Sequence, residues 1–299
     1  MSLVFQEIRF AKRLKKKTKK ICVFCGSTRL TGEHFWPVWS HPCLAIDPSG
    51  GRTRELHETL GNAICLAGPN SRVKSSHLAN LKLRLVCARC NNGWMSHAEE
   101  TAKPVLVKLI NGERCCISVN EQEHLARWIA MKVMLAEHDR NQVFVTPQEE
   151  RTTLMEDGVI PPTFDIRIAH HGLEQKVGYV RRAMTIMMGD GSGKAPEITG
   201  NAVKNVQDTH FMFGKLLVVA ASSQSNMRIE DMFRVHADGL PRIWPCSSEA
   251  LDWPPPLTLN FKQVSDLARR LDYFVTANRS IWLQHPSSPV DLGFLGNVS

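Results

Sequence analysis

The chain has 299 residues, 43% of them hydrophobic, and a net charge of +8 with a pI near 9.1. That length accommodates two modest domains, or one domain and a small module. It holds no run of about 18 apolar residues, which excludes a membrane-spanning helix of ordinary composition.

The charge is concentrated at one end. Lys12, Arg13, Lys15, Lys16, Lys17, Lys19 and Lys20 give seven basic residues without an acid, leaving +1 for the remainder. Residues 1–20 therefore read as a basic arm that binds phosphates by charge and counterion release, without reading sequence. A solvated tail is the plain alternative. The apolar stretch before the basic run is short and interrupted, the reverse of a secretory leader, so a cytoplasmic, intracellular protein is expected. Nine cysteines fit reduced surroundings. Cys43, Cys65, Cys115, Cys116 and Cys246 show no regular spacing and read as free thiols.

Residues 21–103 read as a compact module. Ile21 to Phe24 predicts a short strand entering the knuckle Cys22-x-x-Cys25, with Gly26 making the turn behind it. Residues 27–32 read as a polar connector that delivers Glu33-His34, and Trp36 and Trp39 as wall residues. Residues 40–76, rich in Pro and Gly, predict loops. Leu78 to Val86 alternates and predicts a strand into a second knuckle, Cys87-x-x-Cys90. Asn91 suits a helix start, with the helix stopping near Pro104. Either knuckle alone could be a redox dithiol. Two of equal spacing, flanking an acid-histidine step, point to four thiolates on one structural zinc.

Residues 104–299 predict an α+β domain. Asn120 with Glu123 suggests a capping box opening a helix to about His138, with Leu125, Trp128, Ile129, Val133 and Ala136 on one face. Pro147 begins a short helix to about Glu156. Phe164 to His170 and Val177 to Met188 predict strands, followed by the turn GDGSGK (189–194), which lacks P-loop spacing. Phe211 to Ala221 is one apolar run. Leu240 to Pro256 reads as irregular, and Phe261 to Val275 as an amphipathic helix. His170, His171 and His210 would need the fold to gather them into a second metal site, which is not the expectation.

Glu33-His34 offers a carboxylate for a hard divalent cation beside an imidazole that can take a proton from water. The order C-x-x-C, Glu-His-x-x-Pro, C-x-x-C-Asn resembles the zinc-containing HNH (His-Me finger) endonucleases over residues 20–100. The resemblance implies a ββα-metal module, phosphodiester hydrolysis and one catalytic Mg2+ or Mn2+. It makes His34 the general base, Glu33 and Asn91 the cation ligands, and Cys22, Cys25, Cys87 and Cys90 the zinc ligands. The sequence departs from the family in having Lys82 where a middle Asn stands; Asn80 lies two residues earlier. It also has Trp94 where a basic residue is common, with His97 further along as an alternative ligand. The expected partner is nucleic acid, foremost DNA, with no membrane and a possible homodimer. A non-cleaving, zinc-dependent nucleic-acid-binding or adaptor protein is the alternative. A third reading gives the function to residues 104–299 and leaves the finger as a docking piece.

Overall fold

The computed structural model describes residues 20–44, 57–60, 63–66, 82–138, 144–173, 177–184, 186–188, 205–225, 239–268, 270 and 281–283. Within them the chain is an α+β protein, built on an antiparallel sheet with helices packed against it. The sheet runs β11 (Arg242–Trp244), β6 (Phe164–His171), β10 (Leu216–Ser223), β9 (Val206–Phe213), β7 (Val177–Met184). A short β13 (Thr258–Leu259) joins β6 in parallel.

The helices form where apolar residues recur at helical spacing. In α2 (Ser96–Asn111), Ala98, Ala102, Val105, Leu106, Leu109 and Ile110 make one buried face. This face continues past Pro104, so the helix does not stop there as the proline suggested. The Pro104 ring lies on the exposed side, where water can satisfy the carbonyl it leaves unpaired. A boundary at 103/104 falls inside this helix. It ends at Gly112 in the left-handed region (φ 73°), with Gly112 N–H bonded to Leu109 O and Glu113 N–H to Lys108 O.

Helix α3 (Val119–Ala136) is capped by Ser118 and Glu121, two residues earlier than the Asn120–Glu123 pair. It is buried almost all round and packs on α2 and the sheet. The short α4 (Gln148–Glu156) follows Pro147 as expected.

Strand β9 begins earlier than its apolar residues suggest. Gln207, Asp208, Thr209 and His210 are all buried within it. The apolar run from Phe211 to Ala221 is two strands rather than one, because Gly214 (φ 64°) turns the chain back and pairs Phe213 with Leu216. A Cβ at Gly214 would meet the Ile110 backbone, so the turn also docks on the end of α2. The segment read as irregular holds β11 and β12 (Leu251–Trp253), the latter paired with β5 (Cys115–Ile117). The last helix, α5 (Phe261–Ala268), is amphipathic as expected, burying Val264, Leu267 and Ala268.

The N-terminal unit holds β1 (Leu30–His34) against β4 (Lys82–Cys87), while β2 (His57–Leu60) and β3 (Ala63–Leu66) form a separate hairpin. The strand expected at Ile21 to Phe24 is a turn instead, and the supposed polar connector supplies most of β1. Cross-strand bonds to β4, not hydrophobicity, make that strand. One core joins this unit to the sheet: Phe24, Phe35, Trp36 and Val86 belong to the same cluster as Leu106, Ile129 and Phe213. No helix among the described residues is long and apolar enough to cross a membrane.

Candidate metal centre and the adjoining acidic site

The two knuckles meet as their spacing predicts. The Sγ atoms of Cys22, Cys25, Cys87 and Cys90 all lie within 4.8 Å of one another. In a tetrahedral zinc site with Zn–S near 2.3 Å, neighbouring sulfurs are about 3.8 Å apart, so the group fits the ion with little adjustment. The first knuckle is shaped by Gly26 N–H to Cys22 O (2.9 Å), Cys22 N–H to Ser27 O (2.7 Å) and the left-handed Gly26 (φ 72°). The second is a helical turn, α1 (Ala88–Cys90), in which the Cys90 N–H donates to Cys87 Sγ at 3.5 Å. Burial pushes the Cys87 thiol up, but that amide and the neighbouring thiols outweigh it and pull it to about 7. Burial and the same thiols push Cys90 up. One thiol is thus readied to lose its proton first, as a cation-binding set requires.

The cluster is sewn into the rest of the molecule. Gln148 Nε2 donates to Phe24 O (2.9 Å) and Cys90 Sγ lies 3.7 Å from Met155 Sδ, both partners being on or beside α4. Among the described residues this is the one group of three or more His, Cys, Asp or Glu side chains placed to hold a metal. His170, His171 and His210 are not gathered. His210 pairs instead with buried Asp208 (3.2 Å). Cys43, Cys115, Cys116 and Cys246 are free thiols.

Asn91 follows Cys90 directly, and it closes the turn of α1 as its C-cap instead of opening a helix as an N-cap. The helical turn has already begun at Ala88, and Asn91 opens a wide turn (Asn91–Met95) that Gly93 breaks at φ −99°, ψ −112°. Such wide turns are frequent at functional sites. Burial acts most strongly on the Glu33 carboxyl, raising its pKa, and Asn91 on this turn is the least of the opposing influences. The two residues singled out as cation ligands thus come from β1 and from directly behind the second knuckle.

Two residues that the sequence reading passed over complete the surroundings. Lys132 of α3 places Nζ 3.5 Å from Glu33 Oε1 and 4.0 Å from Glu99 Oε2. Glu99 of α2 is turned inward by Trp39, whose Nε1 donates to Glu99 Oε1 at 3.0 Å. Burial pushes the Glu33 carboxyl up; Lys132 opposes this and Glu99 adds to it.

Neighbouring strand residues face opposite ways, and the His34 ring has different company. Burial lowers its pKa first, then the charges of Lys82, His41 and Lys132. Lys82 stands directly opposite His34 in the β1–β4 register. All of these favour the neutral imidazole. His97 is exposed and away from this group, and Trp94 packs edge-on against Phe24 (4.7 Å). Of the basic arm only Lys20 is described, and it is exposed. Lys12, Arg13, Lys15, Lys16, Lys17 and Lys19 lie outside the described residues, as do Asn80 and the 189–194 turn.

The isolated lysine in the apolar run WIAMKVMLA was the available signal for Lys132. Glu99 had none, since its inward turn depends on Trp39, 60 residues away. No protein-family model, no curated protein and no solved structure matches the chain.

Proposed function

We propose that the chain is a metal-dependent endonuclease that hydrolyses DNA phosphodiester bonds in an HNH-like module. The observation that carries this reading is the four-cysteine cluster, with the strand that bears Glu33-His34 paired to the strand that runs into Cys87-x-x-Cys90-Asn91. Two oxygen donors from separate elements, stapled by the knuckles, suit Mg2+ or Mn2+. When bound, that cation supplies charge neutralisation at the phosphate and the leaving oxygen. His34, the last residue of β1, whose surroundings favour the neutral ring, takes the proton of the attacking water. Lys20 with the rest of the arm would hold the flanking backbone.

The test is cleavage of supercoiled plasmid by zinc-loaded protein with Mg2+, Mn2+ or EDTA, beside a folded His34→Ala variant. Metal-dependent nicking that vanishes in the variant is expected. No cleavage of duplex, single-stranded DNA or RNA by folded protein would overturn the reading.

One observation favours a second reading, a zinc-dependent nucleic-acid-binding or adaptor protein that does not cut. The buried Lys132 ammonium already faces Glu33, so the carboxylate has a counter-charge without any divalent ion. Retarded migration of DNA without cleavage, unaffected by His34→Ala, is what that reading expects.

A further inference from the structure

We infer that Lys132 is the resident cation of the Glu33 site and decides whether a divalent ion can enter it. The inference rests on the reading of Glu33 and Asn91 as cation ligands, and it concerns access to that site.

Lysine is almost never fully buried without a partner, because removing an ammonium from water is costly. Lys132 is 1% exposed in the middle of α3. Its head group lies among cation-attracting groups from three elements. Glu33 Oε1 stands at 3.5 Å, Glu99 Oε2 at 4.0 Å and the His34 carbonyl oxygen at 3.5 Å. The rings of Trp128 and Phe35 lie 5.6 and 5.9 Å from Nζ. Two carboxylates, a carbonyl and two aromatic faces form a cage for one positive charge.

Two other roles fit less well. A lysine that contacts a scissile phosphate must be reachable, and this one is not. A simple staple between α3 and β1 needs one carboxylate, whereas here a second is turned inward and held by Trp39. The site therefore has more negative charge than a single ammonium neutralises, yet its one internal cation stands where a divalent ion on Glu33 would have to approach. Like charges forced together in a poorly hydrated site cost several kcal/mol. A divalent ion enters only when the Lys132 head group withdraws on its four-carbon stem, or when its charge is removed.

The test is Mn2+ binding to the zinc-loaded full chain, read from the electron paramagnetic resonance signal of free Mn2+. Lys132→Met keeps the apolar stem and removes the charge. Mn2+ should bind it at least about tenfold more tightly than the unaltered chain, since the repulsion removed exceeds the 1.4 kcal/mol that a factor of ten represents. Adding Glu33→Gln should abolish the gain. Lys132→Gln, whose amide can still donate to both carboxylates, serves if Lys132→Met fails to fold. Equal or weaker Mn2+ binding by a folded Lys132 variant overturns the inference, as does a gain that survives Glu33→Gln. Plasmid cleavage read in parallel separates the two ideas. Tighter binding without cleavage by any form leaves the Lys132 inference standing and removes the nuclease. Cleavage by the unaltered chain without a gain in Lys132→Met does the reverse.

Discussion

The indole of Trp36 stacks on the ring of Phe213, with centroids 5.1 Å apart and planes 25° apart. Phe213 also stacks on Trp128 of α3 (6.0 Å, 23°). The residues just past Glu33-His34 are thus clamped to the sheet and to the helix that carries Lys132. Trp36→Ala should cost about 3–5 kcal/mol, the range for large-to-small changes at fully buried aromatics. Urea denaturation of both proteins measures it. A loss under about 1 kcal/mol would mean that the stack contributes no more than a surface contact.

The four-cysteine cluster predicts its own stoichiometry. Purified protein should hold one zinc ion per chain by elemental analysis, and Cys87→Ser should hold none. Because Cys22, Cys87 and Cys90 are part of the common core, removing the ion with a chelator should also lower the thermal midpoint of the whole molecule. A chain that keeps its midpoint without zinc would show that the knuckles fold unaided.

A buried ion pair links α3 to α4. Glu137 accepts from Arg151 Nη2, from the Val145 amide (3.0 Å) and from Gln207 Nε2 (2.6 Å), and both charged side chains are almost wholly inaccessible. Glu137→Leu leaves Arg151 uncompensated and should cost about 3–5 kcal/mol. Glu137→Leu with Arg151→Met should recover part of that loss, as replacing both charges by apolar groups usually does. A double variant less stable than the single one would show that the arginine's bonds to Met134 O and Thr146 O matter more than its charge.

Stability should fall in mild acid partly through His171. Burial first, and then the charge of Lys215, lowers its pKa from 6.5 to about 4. The Leu173 N–H donates to its Nδ1 (3.3 Å), which suits the neutral ring. The unfolded chain takes up a proton near pH 6.5 that the folded chain refuses until about pH 4. The contribution is therefore complete above pH 6.5 and is lost as pH falls through that window. It amounts to about 3 kcal/mol at one pK unit per 1.36 kcal/mol. His171→Asn should flatten the dependence of the urea midpoint between pH 6.5 and 4, and an unchanged slope would rule out His171 as its source.

Local chemistry made part of this molecule legible in the sequence. Spacing alone brought the four cysteines together, and glycine's freedom marked the turn at Gly26. Helices α3 and α4 were visible from capping and periodicity, although the cap of α3 was set at Asn120 instead of Ser118. The misses lie where tertiary partners overrule local preference. Gln207 to His210 look like solvent-facing residues but lie in a buried strand, where Gln207 bonds to Glu137, Thr146 and Ser222 and His210 pairs with Asp208. Pro104 looks like a stop, yet it rides the wet side of a helix held by its other face. The ammonium between Glu33 and Glu99 comes from α3, about a hundred residues beyond β1 in the chain, and no local pattern announces it.

Helix α2 starts one turn past Asn91 and ends where Ile110 O accepts from the Lys215 N–H at the tip of the β9–β10 turn (2.8 Å). At about 1.5 Å per residue its 16 residues span roughly 24 Å, so one rigid rod joins the cysteine cluster to the sheet. The N-terminal unit is therefore not a portable cassette. Excised before α3, it would take Glu33 and Glu99 without their ammonium and bare the faces of Phe35 and Trp36. A grafting experiment on this chain has to carry the sheet along.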